Sequence, residues 1–292
     1  MSSSENFRVP NHKLDHVEVD HLYHLGLNSG MDLKGMFGDV KFICMGGSAN
    51  RMELFARKIQ KVLDIKLPVG TDLVPIGKTE RYSMYKVGPV ISVNHGMGQP
   101  SLSILLHELA KLLMYAETKD VVLIRIGTSG GIGCPPGTVV VTEEALDGQL
   151  RAQHDEVILG KVVSRPTKFD IELCKRVLAT SGDIHTIIGK TICADDFYEG
   201  QGRTDGAICD YTIEEKMDFL KQCHEKGVRN FEMECSVLSS FCNKVGLKCL
   251  DICCTLLDRL NGDQINATAE TLAGYSHNAI QVACNFIESE LK

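Results

Sequence analysis

The run from Val121 to Gly133, Val-Val-Leu-Ile-Arg-Ile-Gly-Thr-Ser-Gly-Gly-Ile-Gly, constrains this chain more than any other stretch. Its first half is β-branched and aliphatic, the pattern of a strand buried on both faces. One full charge, Arg125, interrupts it just before the glycines. A lone buried arginine costs on the order of several kcal/mol unless an anion meets it. The glycines predict a turn whose N–H groups curl into an anion-cradling nest. Arg125, Thr128 and those amides therefore read as an oxyanion site at the mouth of a central strand. The competing reading is a buried structural salt bridge beside an ordinary tight turn.

Two common phosphate motifs are excluded. There is no G-x-x-x-x-G-K-[ST] run, so the turn is not a P-loop. A dinucleotide fingerprint needs G-x-G-x-x-G and a helix, whereas here Cys134-Pro-Pro-Gly137 leads into Thr138-Val-Val-Val-Thr142, another strand.

Strands and helices interleave along the rest of the chain. Asp39 to Met45 alternates into a strand ending at Gly46-Gly47, and beyond Ser48-Ala49-Asn50 Arg51 opens a helix whose apolar positions are Leu54, Phe55, Ile59 and Leu63. Strand, glycine loop and helix N-terminus make a second candidate anion site. Residues 83–87 and 90–93 read as strands joined by Gly88-Pro89. Pro100 suits the first turn of the strongest helix, with leucines at 102, 105, 106, 109, 112 and 113. Further strands are expected over 138–144, 156–163, 185–193, 228–233 and 248–257. Helices are expected over 167–180, from Glu214 to Glu225, from Glu234, and from about 269 to 291. A single three-layer α/β domain over 21–292 follows, with a central sheet flanked by helices and a polar arm over 1–20.

Composition removes several classes of function. The chain has 292 residues, 43% of them hydrophobic, and a formal charge of −7, which disfavours a nucleic-acid surface. No apolar run reaches membrane-spanning length and the polar start is no signal peptide, so a cytoplasmic protein is expected. The 12 cysteines include no C-x-x-C pair and read as reduced, buried small hydrophobes. His12 and His16 have i, i+4 spacing but precede any core, so no metal site is expected.

Charged and amide groups mark strand ends and glycine turns: Arg51, Arg81, Arg125, Gln201, Arg203, Glu234 and Arg259. Guanidinium groups pair bidentately with phosphate oxygens. Gln201 and Arg203, two apart, face the same way if the loop is extended and so can read the edge of one planar ring. Glu234 can accept from a pair of hydroxyls. No nucleophile–base–orienter set is present, which fits a reaction whose attacking group is phosphate itself.

Arg125-Ile-Gly-Thr-Ser-Gly-Gly131, Phe197-Tyr-Glu-Gly-Gln-Gly-Arg203 and Phe231-Glu-Met-Glu234 resemble the signature segments of uridine phosphorylases of the nucleoside phosphorylase-I family. The likeness runs from Tyr23 onward, includes Leu257-Asp-Arg259, and is closest to the animal enzymes. It implies the three-layer nucleoside phosphorylase fold, with a central mixed sheet, and reversible conversion of uridine and phosphate to uracil and ribose 1-phosphate in pyrimidine salvage. By the resemblance Gly47, Arg51, Arg125 and Thr128 are phosphate ligands, and Arg81 enters from a neighbouring subunit. Gln201 and Arg203 read uracil, with Phe197 packing on the base. Met233 and Glu234 contact ribose, and His24 of the partner subunit reaches the 5′-hydroxyl. Arg259 lies in a mobile loop that closes over the base. Arg125, Gln201, Arg203 and Arg259 are the expected catalytic group. A homodimer is implied, with no cofactor, phosphate being a co-substrate.

Two residues depart from the bacterial pattern. Asp258 stands where asparagine is common and keeps a purine nucleoside phosphorylase or nucleosidase as an alternative; Cys235 replaces a frequent serine and reads as structural. A non-catalytic nucleoside-binding paralogue is the remaining alternative.

Overall fold

The computed structural model describes residues 7–77 and 79–292. They fall into two compact units, Met1–Ile124 with Phe241–Cys249 and Arg125–Ser240 with Leu250–Lys292. Residues 1–6 of the expected arm lie outside the described residues. Further along that arm, Asp20 is buried and accepts from Lys111 Nζ at 2.8 Å and Tyr115 Oη at 2.9 Å.

In the first unit a short ribbon, β1 (His21–Leu22) and β2 (Leu27–Asn28), precedes α1 (Leu33–Phe37). Strand β3 (Phe42–Gly46) is buried at every position and leads into α2 (Ala49–Val62), capped by the Ser48 hydroxyl. A Gly88-Pro89 turn joins β4 (Met84–Val87) to β5 (Val90–Asn94), and α3 (Gln99–Tyr115) carries Pro100 in its first turn. The strand order is β3-β5-β4, with β3 parallel and β4 antiparallel to β5. Helix α2 packs on this sheet through Met52, Phe55, Ala56 and Ile59, whereas Leu54, expected on the buried face, is exposed. The i, i+3, i+4 rule allows either face; the sheet selects the one bearing Met52.

The rest of the chain, largely the second unit, holds β6 (Val122–Gly131), which enters that unit at Arg125, β7 (Val139–Leu146), a hairpin of β8 (Gln153–Ile158) and β9 (Lys161–Pro166), and α4 (Ile171–Ala179). Then follow β10 (Thr186–Cys193), α5 (Ile213–Glu225), β11 (Val228–Glu232), α6 (Cys235–Val245), β12 (Lys248–Asp258) and α7 (Ala269–Leu291). The sheet order is β11-β10-β7-β12-β6, with β11 also meeting β6. Strands β7, β10 and β11 run parallel, while β12 is antiparallel to β7. Helix α5 packs on β11, and Ile132, Leu146, Ile192, Leu220, Cys223, Val228 and Phe231 share a core around them.

Two further expectations need correction. The single strand expected over 156–163 is a hairpin, because Leu159 and Gly160 both take positive φ (50° and 77°) and reverse the chain as a primed turn does. The glycines after Arg125 form no turn: β6 continues to Gly131. They serve close approach instead. A Cβ at Gly127 would lie 2.7 Å from Arg125 Nη1, and one at Gly130 would lie 3.2 Å from the Arg259 side chain.

Candidate active site

Arg125 sits inside β6, 4% exposed, and is ringed by carboxylates. Its Nη1 donates to Asp251 Oδ1 at 2.8 Å, lies 2.9 Å from Glu232 Oε2, and meets Cys253 Sγ at 2.7 Å. Its Nη2 pairs with Glu234. Nε is buried with no hydrogen-bond partner among the described residues. Burial acts to lower the Arg125 pKa, yet Cys253, Glu234, Glu232 and Asp251 together raise it well above the usual value. The buried salt bridge weighed against an oxyanion site is therefore present, and it is a cluster rather than a pair.

Glu232 ends β11 and turns its carboxylate onto the start of α6. It accepts from Glu234 N at 2.8 Å and from Cys235 N at 2.9 and 3.0 Å, satisfying orphan N–H groups of that helix. Burial, opposed by Arg125 but reinforced by Asp251 and Glu234, pushes its pKa up to about 7. Asp251 also accepts from Thr142 Oγ1 at 2.7 Å. Thr142 meets Thr191 at 2.7 Å, Thr191 donates to Asn230 at 2.7 Å, and the Asn230 amide donates to Ser129 at 3.0 Å. A buried polar chain thus crosses the sheet beneath Arg125, and such a chain is tolerated because its members satisfy one another.

A second cluster in the same unit gathers the residues expected to read the base. Gln201 closes a 3-10 turn over Glu199–Gln201, and Gly202 takes a left-handed conformation (φ 61°) that delivers Arg203. The loop is thus coiled rather than extended, so the two-residue spacing acts through a turn. Gln201 and Arg203 are both buried. Arg203 donates from Nε and Nη2 to Asp205 at 2.8 and 2.6 Å, and the Phe197 ring covers its guanidinium at 4.5 Å. Arg259, which the resemblance places in a loop that closes over the base, is fully buried. Its Nε donates to Asp263 at 2.7 Å and its Nη2 to the carbonyls of Gln201 and Gly202 at 2.8 and 3.3 Å, while Nη1 has no partner among the described residues.

Asp263 is the hub of this cluster. It takes Arg259, Lys216 Nζ at 2.6 Å, and both the amide and hydroxyl of Thr204 at 2.9 and 3.0 Å. Burial would raise its pKa, but Lys216, Thr204 and Arg259 prevail and hold it well below the usual carboxylate range. Met233 is half-buried between Glu232 and Glu234, and Thr128 is half-buried in β6.

In the first unit, Gly47 and Arg51 come together after β3. A Cβ at Gly47 would lie 3.2 Å from Gly96 O and 4.0 Å from Arg51 Nη1, so the guanidinium folds back toward the glycine loop. His24 is held by Glu108 of α3, which accepts from its Nδ1 at 2.6 Å and its backbone N at 2.9 and 3.0 Å. Arg81 is exposed.

Asp258 ends β12. It accepts from Gly133 N at 3.0 Å, Leu260 N at 3.1 Å and Asn261 Nδ2 at 3.0 Å, holding the turn that starts with Arg259. Cys235 is buried at the start of α6. Cys193, Glu232 and Cys235 bring possible metal-ligand atoms within 4.8 Å of one another. Both Glu232 oxygens already accept backbone N–H bonds, so that carboxylate is occupied by the start of α6.

The sequence reading missed the carboxylates that complete both clusters. Glu232 stands two residues before Glu234, and Asp263 four after Arg259. Asp251 is a lone charge in an apolar strand, the mirror image of Arg125, and that symmetry was the available signal.

A profile of the Phosphorylase superfamily matches residues 41–288. The chain belongs to that superfamily. It is 48% identical over 288 residues to uridine phosphorylase 2 of Mus musculus, covering 97% of this chain and 90% of the relative. A solved structure from work on two uridine phosphorylases of the oomycete Phytophthora capsici superposes with a TM-score of 0.93 at 44% identity, covering 97% of both chains. An inactive uridine phosphorylase B of Schistosoma mansoni is 38% identical over 267 residues, 90% of this chain and 89% of the relative. The fold is mixed α/β with a central mixed sheet flanked by helices, as the resemblance implied. Among the described residues no helix is long and apolar enough to cross a membrane.

Proposed function

We propose that this chain is a uridine phosphorylase, a pentosyltransferase that converts uridine and inorganic phosphate reversibly to uracil and ribose 1-phosphate in cytoplasmic pyrimidine salvage. One observation carries the reading beyond family membership. Two buried arginines of one unit, Arg125 and Arg259, each keep a donor nitrogen without a partner among the described residues. An unmet buried donor costs roughly 1–3 kcal/mol, a debt that a bound anion and a base carbonyl would cancel. A nucleosidase, whose co-substrate is water, needs no such anion donor.

The chemistry follows from charge. Breaking the glycosidic bond leaves negative charge on the uracil ring and positive charge on the ribose. Donors from Gln201, Arg203 and Arg259 stabilise the first, and a single preorganised donor of this kind is worth about 3–4 kcal/mol. Phosphate stabilises the second and then captures C1′, its P–O oxygen forming the new bond as the base leaves. Arg125 and Thr128 act as phosphate ligands, and Gly47, Arg51 and Arg81 keep the phosphate roles that the resemblance implies. Glu234 and Met233 take the ribose, with Glu234 accepting from its hydroxyls; Phe197 packs on the base. The working form is a homodimer in which His24 and Arg81 serve the neighbouring subunit. The reaction needs no cofactor or metal.

A second reading, a nucleoside-binding protein without turnover, is favoured by the three carboxylates that already hold Arg125 and by the existence of an inactive relative. The purine alternative is weakened by the commitment of Asp258 to backbone N–H groups.

Incubation with uridine or inosine, with and without phosphate, followed by chromatography of the products, separates these readings. Uracil release that requires phosphate is expected, and the Gln201→Leu variant should lose it while remaining folded. Uracil release without phosphate, or preference for inosine, overturns the proposal, and binding without turnover establishes the second reading.

A further inference from the structure

Asp251 lies in the middle of β12 between Leu250 and Ile252, all three fully buried. A carboxylate in an apolar strand is strongly disfavoured unless it is paired. Its partners are Arg125 Nη1 at 2.8 Å and Thr142 Oγ1 at 2.7 Å. Arg125, however, does not depend on Asp251 for neutrality, because Glu232 and Glu234 also hold it. One guanidinium therefore faces three carboxylates, and the third adds buried negative charge beside the group that meets the phosphate. The excess is felt elsewhere: Asp251 is among the groups that raise the Glu232 pKa, after burial itself.

We propose that Asp251 is a positioning residue acting through Arg125, which turns the Nη1 edge of the guanidinium toward β12 and weakens the hold of the Nε edge on inorganic phosphate. Its geometry supports both halves. Nη1 meets Asp251 and Cys253 of one strand, while Nε is buried with no partner among the described residues. A dianion approaching Nε is attracted by the guanidinium and repelled by the carboxylate behind it. The interaction is strong in either sense because the surroundings exclude water. Asp251 thus acts first on the phosphate requirement, and reaches the ribose contact Glu234 only through the guanidinium the two share.

This inference rests on the phosphorolysis reading, so the experiment separates the two. The full-length protein and the Asp251→Asn variant are compared by steady-state kinetics over a matrix of uridine and phosphate, and by calorimetric titration with inorganic phosphate alone. The asparagine keeps the shape and an acceptor for Nη1 but removes the charge. The phosphate KM and Kd are expected to fall about tenfold, as for loss of one nearby unit charge, with the uridine KM unchanged. A purely structural role would instead lower kcat or stability without this split. If Asp251→Asn does not fold, Asp251→Val, a β-branched residue suited to a buried strand, gives the same reading because Glu232 and Glu234 still neutralise Arg125. Phosphate affinity unchanged or weakened in a folded variant overturns the proposal. Absence of phosphate-dependent turnover in the unmodified protein would instead overturn the phosphorolysis reading, and the phosphate titration would still decide the role of Asp251.

Discussion

The surroundings of Arg125 and those of Arg259 are both buried and charged, yet they are balanced in opposite ways. Around Arg125 three carboxylates share one guanidinium, whereas around Asp263 one carboxylate serves both Arg259 and Lys216. Burial is the leading influence on Glu232 and on Asp263, and in each it favours the neutral acid. The outcomes still differ: Glu232 rises to about 7, while Asp263 is driven below the usual carboxylate range. Burial sets the stakes, and the local count of counter-charges decides the direction.

The comparison is broken most forcefully by removing the single acid of the cation-rich cluster. Asp263→Ala strands Arg259 and Lys216, both buried, and is expected to destabilise the fold by roughly 3–5 kcal/mol, as read by urea denaturation at pH 7. The contribution of this carboxylate has a defined pH range. A depressed pKa stabilises the fold above the ordinary value of 3.8 and ceases to do so as pH falls through the lower folded value. An alanine variant as stable as the parent at pH 7 would mean that Asp263 is not the hub.

The acid-rich side carries the opposite sign and a smaller effect. Because the Glu232 pKa is raised from 4.5 to about 7, its contribution is full below pH 4.5 and is lost as pH rises toward 7. Glu232→Gln should flatten the stability profile between those limits, measured by denaturation at pH 5 and pH 8. The neutral amide retains one acceptor oxygen for the N–H groups of α6. Parallel profiles for the two proteins would show that the carboxylate excess around Arg125 is not real.

Asp258 gives the smallest expected change and marks the boundary of both clusters. Its oxygens accept from Gly133, Leu260 and Asn261, so Asp258→Asn, which preserves an acceptor, should cost less than about 1 kcal/mol and leave uridine turnover intact. A collapse of activity with unchanged stability would instead make Asp258 a proton donor to the base.

Much of the fold is legible in the sequence. The leucines of α3, the Gly88-Pro89 turn and the buried run of β12 are local signals, carried by periodicity and by residues that break it. The misreadings were local signals with two meanings. Glycines after Arg125 permit a turn, but they also permit tight passage of neighbouring side chains, and the structure uses the second property. Leu54 fits the apolar spacing of α2 as well as Met52 does, and only the sheet distinguishes them. Arg125 was visible because it interrupts a strand, and Arg203 because it lies in a glycine loop. Their carboxylate partners were harder to see, since charge alone does not say which residues will meet.

What the sequence by itself determined is the alternation of strands and helices from Asp39 onward, the family, and the requirement that Arg125 find an anion. What only the tertiary structure decided is which anions it finds. Asp251 is 126 residues away from Arg125 and Glu234 is 109 away, brought near by the pairing of β6, β12 and β11. Periodicity records which face a residue occupies along its own strand, while the neighbour across the sheet is fixed by strand order and register, which no single segment contains.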